Sequence, residues 1–261
     1  KPEDKAEMLR LCEIKRVIQD KQLDNPDARI QINQMNNQSL LRDYATSFQG
    51  TSSGDFQRFG LYFWEPAYLR TQFDFVERVP QQSVLFSGKM YVFNWRKVQQ
   101  FQGSATRGEE AYKKTGVIIG QIGELPTSFY LGYKFTDLAA VLVPRDPAFL
   151  PAIWCYCSSP EYNESVRQID QALKVTNGTL VKVPFDLAYW TQVAAEKYPN
   201  GLPKPYSDDP TQWIFHGHPA PSEQPLQVAV ARLLGYQWPA EMDKQMELSE
   251  EARSWVARSR E

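Results

Sequence analysis

Between Ser83 and Val143 lie five short runs, "SVLF", "MYVFNW", "GVIIGQI", "TSFYL" and "AAVLV", each rich in β-branched or aromatic residues. Gly, Pro or polar turn residues bound them, as expected of strands joined by tight connections. Helical patterning follows only afterwards, around Pro147–Cys157 and Pro160–Leu173, each opening near a proline whose missing N–H is no loss in a first turn. A last strand is expected at "TLVKV". Strands first and helices later point to an α+β fold, a small mixed sheet with packed helices, rather than alternating β-α-β units. The glycines of "GVIIGQIG" fit a strand that another backbone approaches closely.

The flanks read differently. Residues 1–47 form a helical lead-in: Leu9, Cys12 and Val17 recur at helical steps, and Leu11, Ile14 and Ile18 widen the stripe. Pro26, in "LDNPDA", ends that helix. Leu40, Leu41 and Tyr44 predict a second, short helix. Beyond residue 186 the chain turns helical and loop-rich. "FDLAYWTQVAAEKY" is amphipathic, and "PNGLPKPYSDDPTQW" reads as an extended strap. "PLQVAVARLLGYQWP" is a helix stopped by Gly235 and Pro239. "SEEARSWVARSRE" is a capped helix with an acidic first turn. Trp64, Trp95, Trp154 and Trp190 lie in apolar or amphipathic runs and are expected in the core.

No run reaches the roughly eighteen apolar residues that a membrane helix requires, and the charged N-terminus does not resemble a signal peptide. Cys12, Cys155 and Cys157 make no disulfide framework, with Cys155 and Cys157 read as small buried residues. A reducing, cytoplasmic setting is expected, which makes the glycosylation sequons at Asn37, Asn163 and Asn177 coincidental. Net charge is −2, against wholesale capture of a polyanion. From Ser87 to Lys134, however, seven basic residues face three acidic ones, a local excess of four, whereas the last 75 residues, from Leu187 on, carry seven basic and ten acidic. That distribution suits one polyanion-facing surface.

Motifs for an autonomous active site are absent. There is no Gly-x-Ser-x-Gly elbow, no phosphate-binding Gly-x-x-x-x-Gly-Lys loop and no Gly-x-Gly-x-x-Gly after a strand. His216 and His218, two residues apart, have no nearby Cys, Asp or Glu cluster to complete a metal site. No catalytic, cofactor or metal residue is therefore assigned.

"GTSSGDFQRFGLYFWE", a small-residue loop fastened to an aromatic segment, resembles the entry to the target-recognition domain of large adenine-N6 DNA methyltransferases of bacterial restriction and phage-defence systems. "KKTGVIIGQIGELPTSFYLGYKFTDLAAVLVPRD" is similar to that domain's central strands, and "LPAIWCYCSSPEYNESVRQIDQALKVTNGTLVKVPFD" to its close. "KPYSDDPTQWIFHGHP" and "LQVAVARLLGYQW" resemble the C-terminal helical extension of DISARM- or BREX-like members. The resemblance implies a lead-in (1–47) from an upstream domain, a target-recognition domain (48–186) and a helical C-terminal extension (187–261). The Asn/Asp-Pro-Pro-Tyr/Phe/Trp motif and cofactor loop of such enzymes are missing, so S-adenosylmethionine is expected only on an upstream catalytic domain. The implied partners are double-stranded DNA, that upstream methyltransferase domain and other defence-system subunits, with no membrane.

On this reading Lys89, Arg96, Lys97, Arg107, Lys113 and Lys114 contact phosphates, while Asn94, Gln99, Gln100 and Gln102 reach base edges. Thr51, Ser53 and Arg58, in or beside the Gly-Thr-Ser-Ser-Gly-Asp loop, meet DNA at the joint between the two halves. A capped turn before a helix is the plainer role for that loop. Two other readings are a protein-interaction module of a defence complex, using the aromatic surface and acidic tail, and an enzyme with a spatially assembled site. Because the residues for both functions are missing, this chain alone is expected to show no methyl transfer and no saturable S-adenosylmethionine binding in calorimetry.

Overall fold

The structure, a computed structural model, describes residues 2–12, 16–23, 25, 39–63, 65, 73–205, 225–234, 241, 244 and 248–259. The chain divides into two compact units, residues 1–39 and 40–261. In the first, α1 (Pro2–Leu11) and the single turn α2 (Gln19–Gln22) form, but no residue of α1 is buried. The expected helix is thus interrupted before Val17, because a helix that buries no apolar face gains little from continuing.

The second unit is α+β, with two four-stranded sheets instead of the single sheet expected. Its strands are β1 (Ala45–Gln49), β2 (Gly60–Tyr62), β3 (Phe73–Glu77), β4 (Tyr91–Asn94), β5 (Gly116–Gly120), β6 (Thr127–Tyr130), β7 (Lys134–Phe135) and β8 (Ala139–Pro144). The first sheet, in the order β1-β8-β5-β6, is antiparallel throughout. The second has the order β2-β4-β3-β7, and only its β3–β7 pair is parallel. Its helices among the described residues are α3 (Phe56–Phe59), α4 (Trp95–Gln100), α5 (Leu150–Cys157), α6 (Pro160–Ile169), α7 (Leu187–Lys197), α8 (Pro225–Leu233) and α9 (Glu250–Arg258).

Both faces of β5, β6 and the first four residues of β8 are covered. Val117, Ile119, Ala140 and Leu142 meet α5, α6 and α7 on one side, while Ile118, Tyr130 and Val141 pack with Ala111 and Phe135 on the other. Strands buried on both sides read as continuous apolar runs, which is why "GVIIG" and "AAVLV" lack alternation. Gly116 belongs here because a Cβ would stand 2.2 Å from the Leu142 carbonyl oxygen. Trp154 packs with its ring tilted 56° and 4.6 Å from that of Phe129, and donates to the Tyr198 hydroxyl at 3.0 Å. Trp95, Trp154 and Trp190 are buried, as are Cys155 and Cys157; Trp64 lies outside the described residues. The second sheet sets Leu61, Phe75 and Val92 against Val228 and Ala231 of α8, and Val76 and Phe93 against Phe59, Trp95 and Val98.

Three local expectations change. Leu41–Asp43 is a 3₁₀ turn and Ala45 already pairs with Pro144, so strand structure begins ahead of Phe48. "TLVKV" forms no strand: Thr179–Val181 is a 3₁₀ turn that sends Leu180 into the core and leaves its carbonyl to the Tyr162 hydroxyl. "SVLF" covers the β6 edge through separate bonds, from the Val84 amide to Thr127 and from the Phe129 amide to Leu85, without a regular ladder.

The two sheets meet at Lys89. Its ammonium donates to Glu77 Oε2 at 3.1 Å on β3, to the Ser87 carbonyl at 3.0 Å and to the Phe129 carbonyl at 2.9 Å on β6. Lys89 is 3% and Glu77 1% exposed. Burial pushes the Glu77 carboxyl up and the Lys89 ammonium down, each opposed by the other's charge. Three acceptors match the three N–H donors of a protonated lysine. Lys89→Met is therefore expected to destabilise the chain by about 3–5 kcal/mol, because the Glu77 charge is left alone in the interior. Adding Glu77→Leu should recover most of that loss, as read from the urea midpoint.

Candidate functional site

Two similar segments lie side by side: "FQGTSSGD", from Phe48, and "FQGSATRG", from Phe101. Ser52 and Ala105 exchange both backbone bonds, Ser52 N–H to Ala105 at 3.0 Å and the reverse at 2.8 Å. Gly54 (φ 71°) allows the contact, because a Cβ there would sit 2.4 Å from the Gly103 carbonyl oxygen. The Thr51 hydroxyl donates to the Arg107 carbonyl at 3.1 Å and accepts from the Arg107 amide at 3.2 Å. Tyr112 donates its phenol to the same carbonyl at 3.2 Å. Thr51 also ties the loop to β7, its amide donating to Phe135 at 2.8 Å. Ser104 closes the second segment by donating to the Val98 carbonyl at 2.7 Å or that of Phe101 at 2.8 Å, at the end of α4.

This arrangement corrects the sequence-derived contacts at four residues, which are buried or already engaged. Thr51 is fully buried and Ser53 nearly so; with its hydroxyl engaged, Thr51 builds the loop and does not face a ligand. Lys89 is consumed by the buried ion pair, so it is no phosphate contact. Asn94, half-buried, accepts from the Lys97 amide at 3.3 Å as the N-cap of α4. Asp55 likewise caps α3, accepting from the Arg58 amide at 3.1 Å, so the first loop also ends as a capped turn.

The remaining candidates are exposed. Arg58 lays its guanidinium 5.4 Å from the centroid of Phe101, next to Gln102, while Arg107 follows in the second loop. Arg96, Lys97, Gln99 and Gln100 project from α4, which leads directly into Phe101. Thus Gln102 and Arg107 lie on the loop pair, Arg58 on the adjoining α3, and Arg96 and Lys97 on the adjoining α4. Lys113 and Lys114 stand beyond the Glu109–Ala111 turn. None of these exposed cations is in an ion pair among the described residues. Lys134, counted in the basic middle, is instead spent on Asp74 at 2.6 Å and on the Trp95 ring at 4.1 Å.

Sequence reasoning passed over Arg78, whose guanidinium lies 3.9 Å from the Phe56 centroid and within 3.5 Å of the Tyr91 hydroxyl. Tyr91 stacks on Tyr62 at 4.7 Å. Only strand register brings Tyr62 opposite Tyr91, and no local pattern announces it. Among the described residues no group of three or more His, Cys, Asp or Glu is placed to hold a metal; His216 and His218 lie outside them. No helix among the described residues is long and apolar enough to cross a membrane.

No protein-family model matches the chain, and no curated protein sequence matches it.

Replacing Thr51 by Val removes the hydroxyl that both donates to and accepts from Arg107. The expected cost is about 1–3 kcal/mol, the range for leaving a sheltered polar group unpaired, and amide exchange at Arg107 should accelerate. Thr51→Ser should retain most of the stability and the slow exchange.

Proposed function

We propose that this chain reads double-stranded DNA as the target-recognition part of a bacterial adenine-N6 DNA methyltransferase of the restriction or phage-defence type. The observation that carries the reading is the placing of Arg58, Arg96, Lys97, Gln102 and Arg107 on two interlocked glycine loops and the two short helices that adjoin them, α3 and α4. The cations supply the sequence-independent attraction to phosphates. A rigidly stitched loop pair can hold Gln102 toward a base edge, where an amide can pair with adenine in the major groove. The resemblance of the loop and strand segments to such recognition domains supports the same assignment. The cofactor and the methyl transfer then belong to an upstream catalytic domain.

A second reading, a protein-interaction module of a defence complex, is favoured by α8, where Leu226 and Leu233 are 76% and 87% exposed. Duplex titration separates the two. The DNA reading expects salt-sensitive binding in the range of about 10⁻⁴ to 10⁻⁶ M, with log affinity falling by roughly 0.9 per phosphate contact for each tenfold rise in salt. Combined Arg58→Glu, Arg96→Glu and Arg107→Glu changes should weaken binding to every sequence, whereas Gln102→Ala should change preference among sequences. Folded protein that leaves fluorescence anisotropy flat at low salt would transfer the assignment to the interaction module.

A further inference from the structure

On the first sheet's face away from the helices, β1 and β8 floor an open groove of about 560 Å³. Phe48 and Val143 form its apolar base, half-buried against the cluster around Ile118 and Val141. Lys113, Lys114 and Thr115, which lead into β5, and Pro144, Arg145 and Pro147, at and beyond the end of β8, complete the lining. The lining therefore carries three cations and no carboxylate. The nearest acid in sequence, Asp146, already accepts from the Ala148 amide at 2.9 Å.

The cationic lining is held by backbone as much as by side chains. Lys113 lies in the left-handed region at φ 61°, a conformation that costs a non-glycine residue about 1–2 kcal/mol. Its amide donates to the Gly132 carbonyl at 2.8 Å, and Gly132 (φ 97°) comes so near that a Cβ there would lie 2.7 Å from the Lys113 Cα. The Arg145 amide donates to Tyr44 at 2.8 Å and its Nε to the Arg42 carbonyl at 3.2 Å, which fixes the base of the guanidinium. Backbone strain that the surroundings enforce is a common property of ligand sites.

We infer that this groove is a phosphate-ester site: Lys113, Lys114 and Arg145 take the phosphate oxygens, and the sugar or base lies on Phe48, Val143 and Pro144. Arginine and lysine together match an anionic phosphate, diester or monoester, by charge and by forked hydrogen bonding. A bare inorganic anion would leave the apolar base of the groove unused. The ester can come from a strand of duplex DNA or from a free nucleotide. The assignment does not rest on the loop pair, which lies across the Glu109–Ala111 turn.

Backbone amide spectra of the isotope-labelled chain test it, in titrations with a nucleoside 5′-monophosphate and, separately, with a short duplex. Both ligands are expected to shift Lys113, Lys114, Thr115 and Arg145 in a saturable manner. Lys114→Glu with Arg145→Glu should weaken the nucleotide at least about tenfold. Lys113→Gln with Lys114→Gln, a milder pair, should do so too if the first variant proves unfolded. Shifts caused by duplex alone would name the DNA strand as the source of the ester. Shifts absent with both ligands, or equal in a folded variant, overturn the inference. Shifts confined to the loop pair sink the groove and spare the DNA reading, whereas duplex shifts confined to the groove keep both and remove only the loop pair from DNA contact.

Discussion

The Lys89 ammonium is the point at which the two sheets become one body. Its three hydrogen bonds reach Glu77 on β3, the Phe129 carbonyl on β6 and the Ser87 carbonyl in the segment between. Nearby, the Thr136 amide donates to the Glu77 carbonyl at 3.0 Å, and the Thr51 amide to Phe135, so the glycine loop hangs from the same junction. A hydrophobic contact could have joined the sheets with less desolvation, but it would not have fixed their direction. A charged donor with three placed acceptors permits one docking geometry, in keeping with the use of buried polar groups for specificity in some proteins.

That junction determines what the loop pair can be. Thr51 is pinned at its amide by β7 and at its hydroxyl by Arg107. Ordering of the two loops is thus completed during folding, and a ligand need not supply it. Preorganised loops present exposed side chains at low entropic cost, as recognition surfaces require. The buried residues of the loops hold position, and the exposed Gln102 and Arg107, with Arg58 on the adjoining α3, are left to make contact.

The α+β class was legible because period-2 and continuous apolar runs preceded the helices, and the runs at Tyr91–Asn94, Gly116–Gly120, Thr127–Tyr130 and Ala139–Pro144 became strands. The split into two sheets was not, since register depends on partners distant in sequence. β3, at Phe73–Glu77, held no place among the expected runs. "TLVKV" failed for a related reason: its alternation suits a strand, but its neighbours claim its side chains for the core and offer no ladder. At the site, charge alone selected Lys89 with the other cations, and only three dimensions show Glu77 beside it. Arg145 went unnoticed because nothing local links "VPRDP" to the lysines at 113 and 114. β8 brings it to them, by running antiparallel to both β1 and β5.

The close approach of Gly54 to Gly103 bears on how such a protein could diversify. Each loop is shaped to the other's backbone, so transplanting one into a relative would bring a misfit with the loop already there. New binding preferences at this surface would have to arise either by exchanging both segments together or by changing only outward side chains such as Gln102. Sequence drift in the two loops should accordingly be correlated, although some fifty residues separate them along the chain.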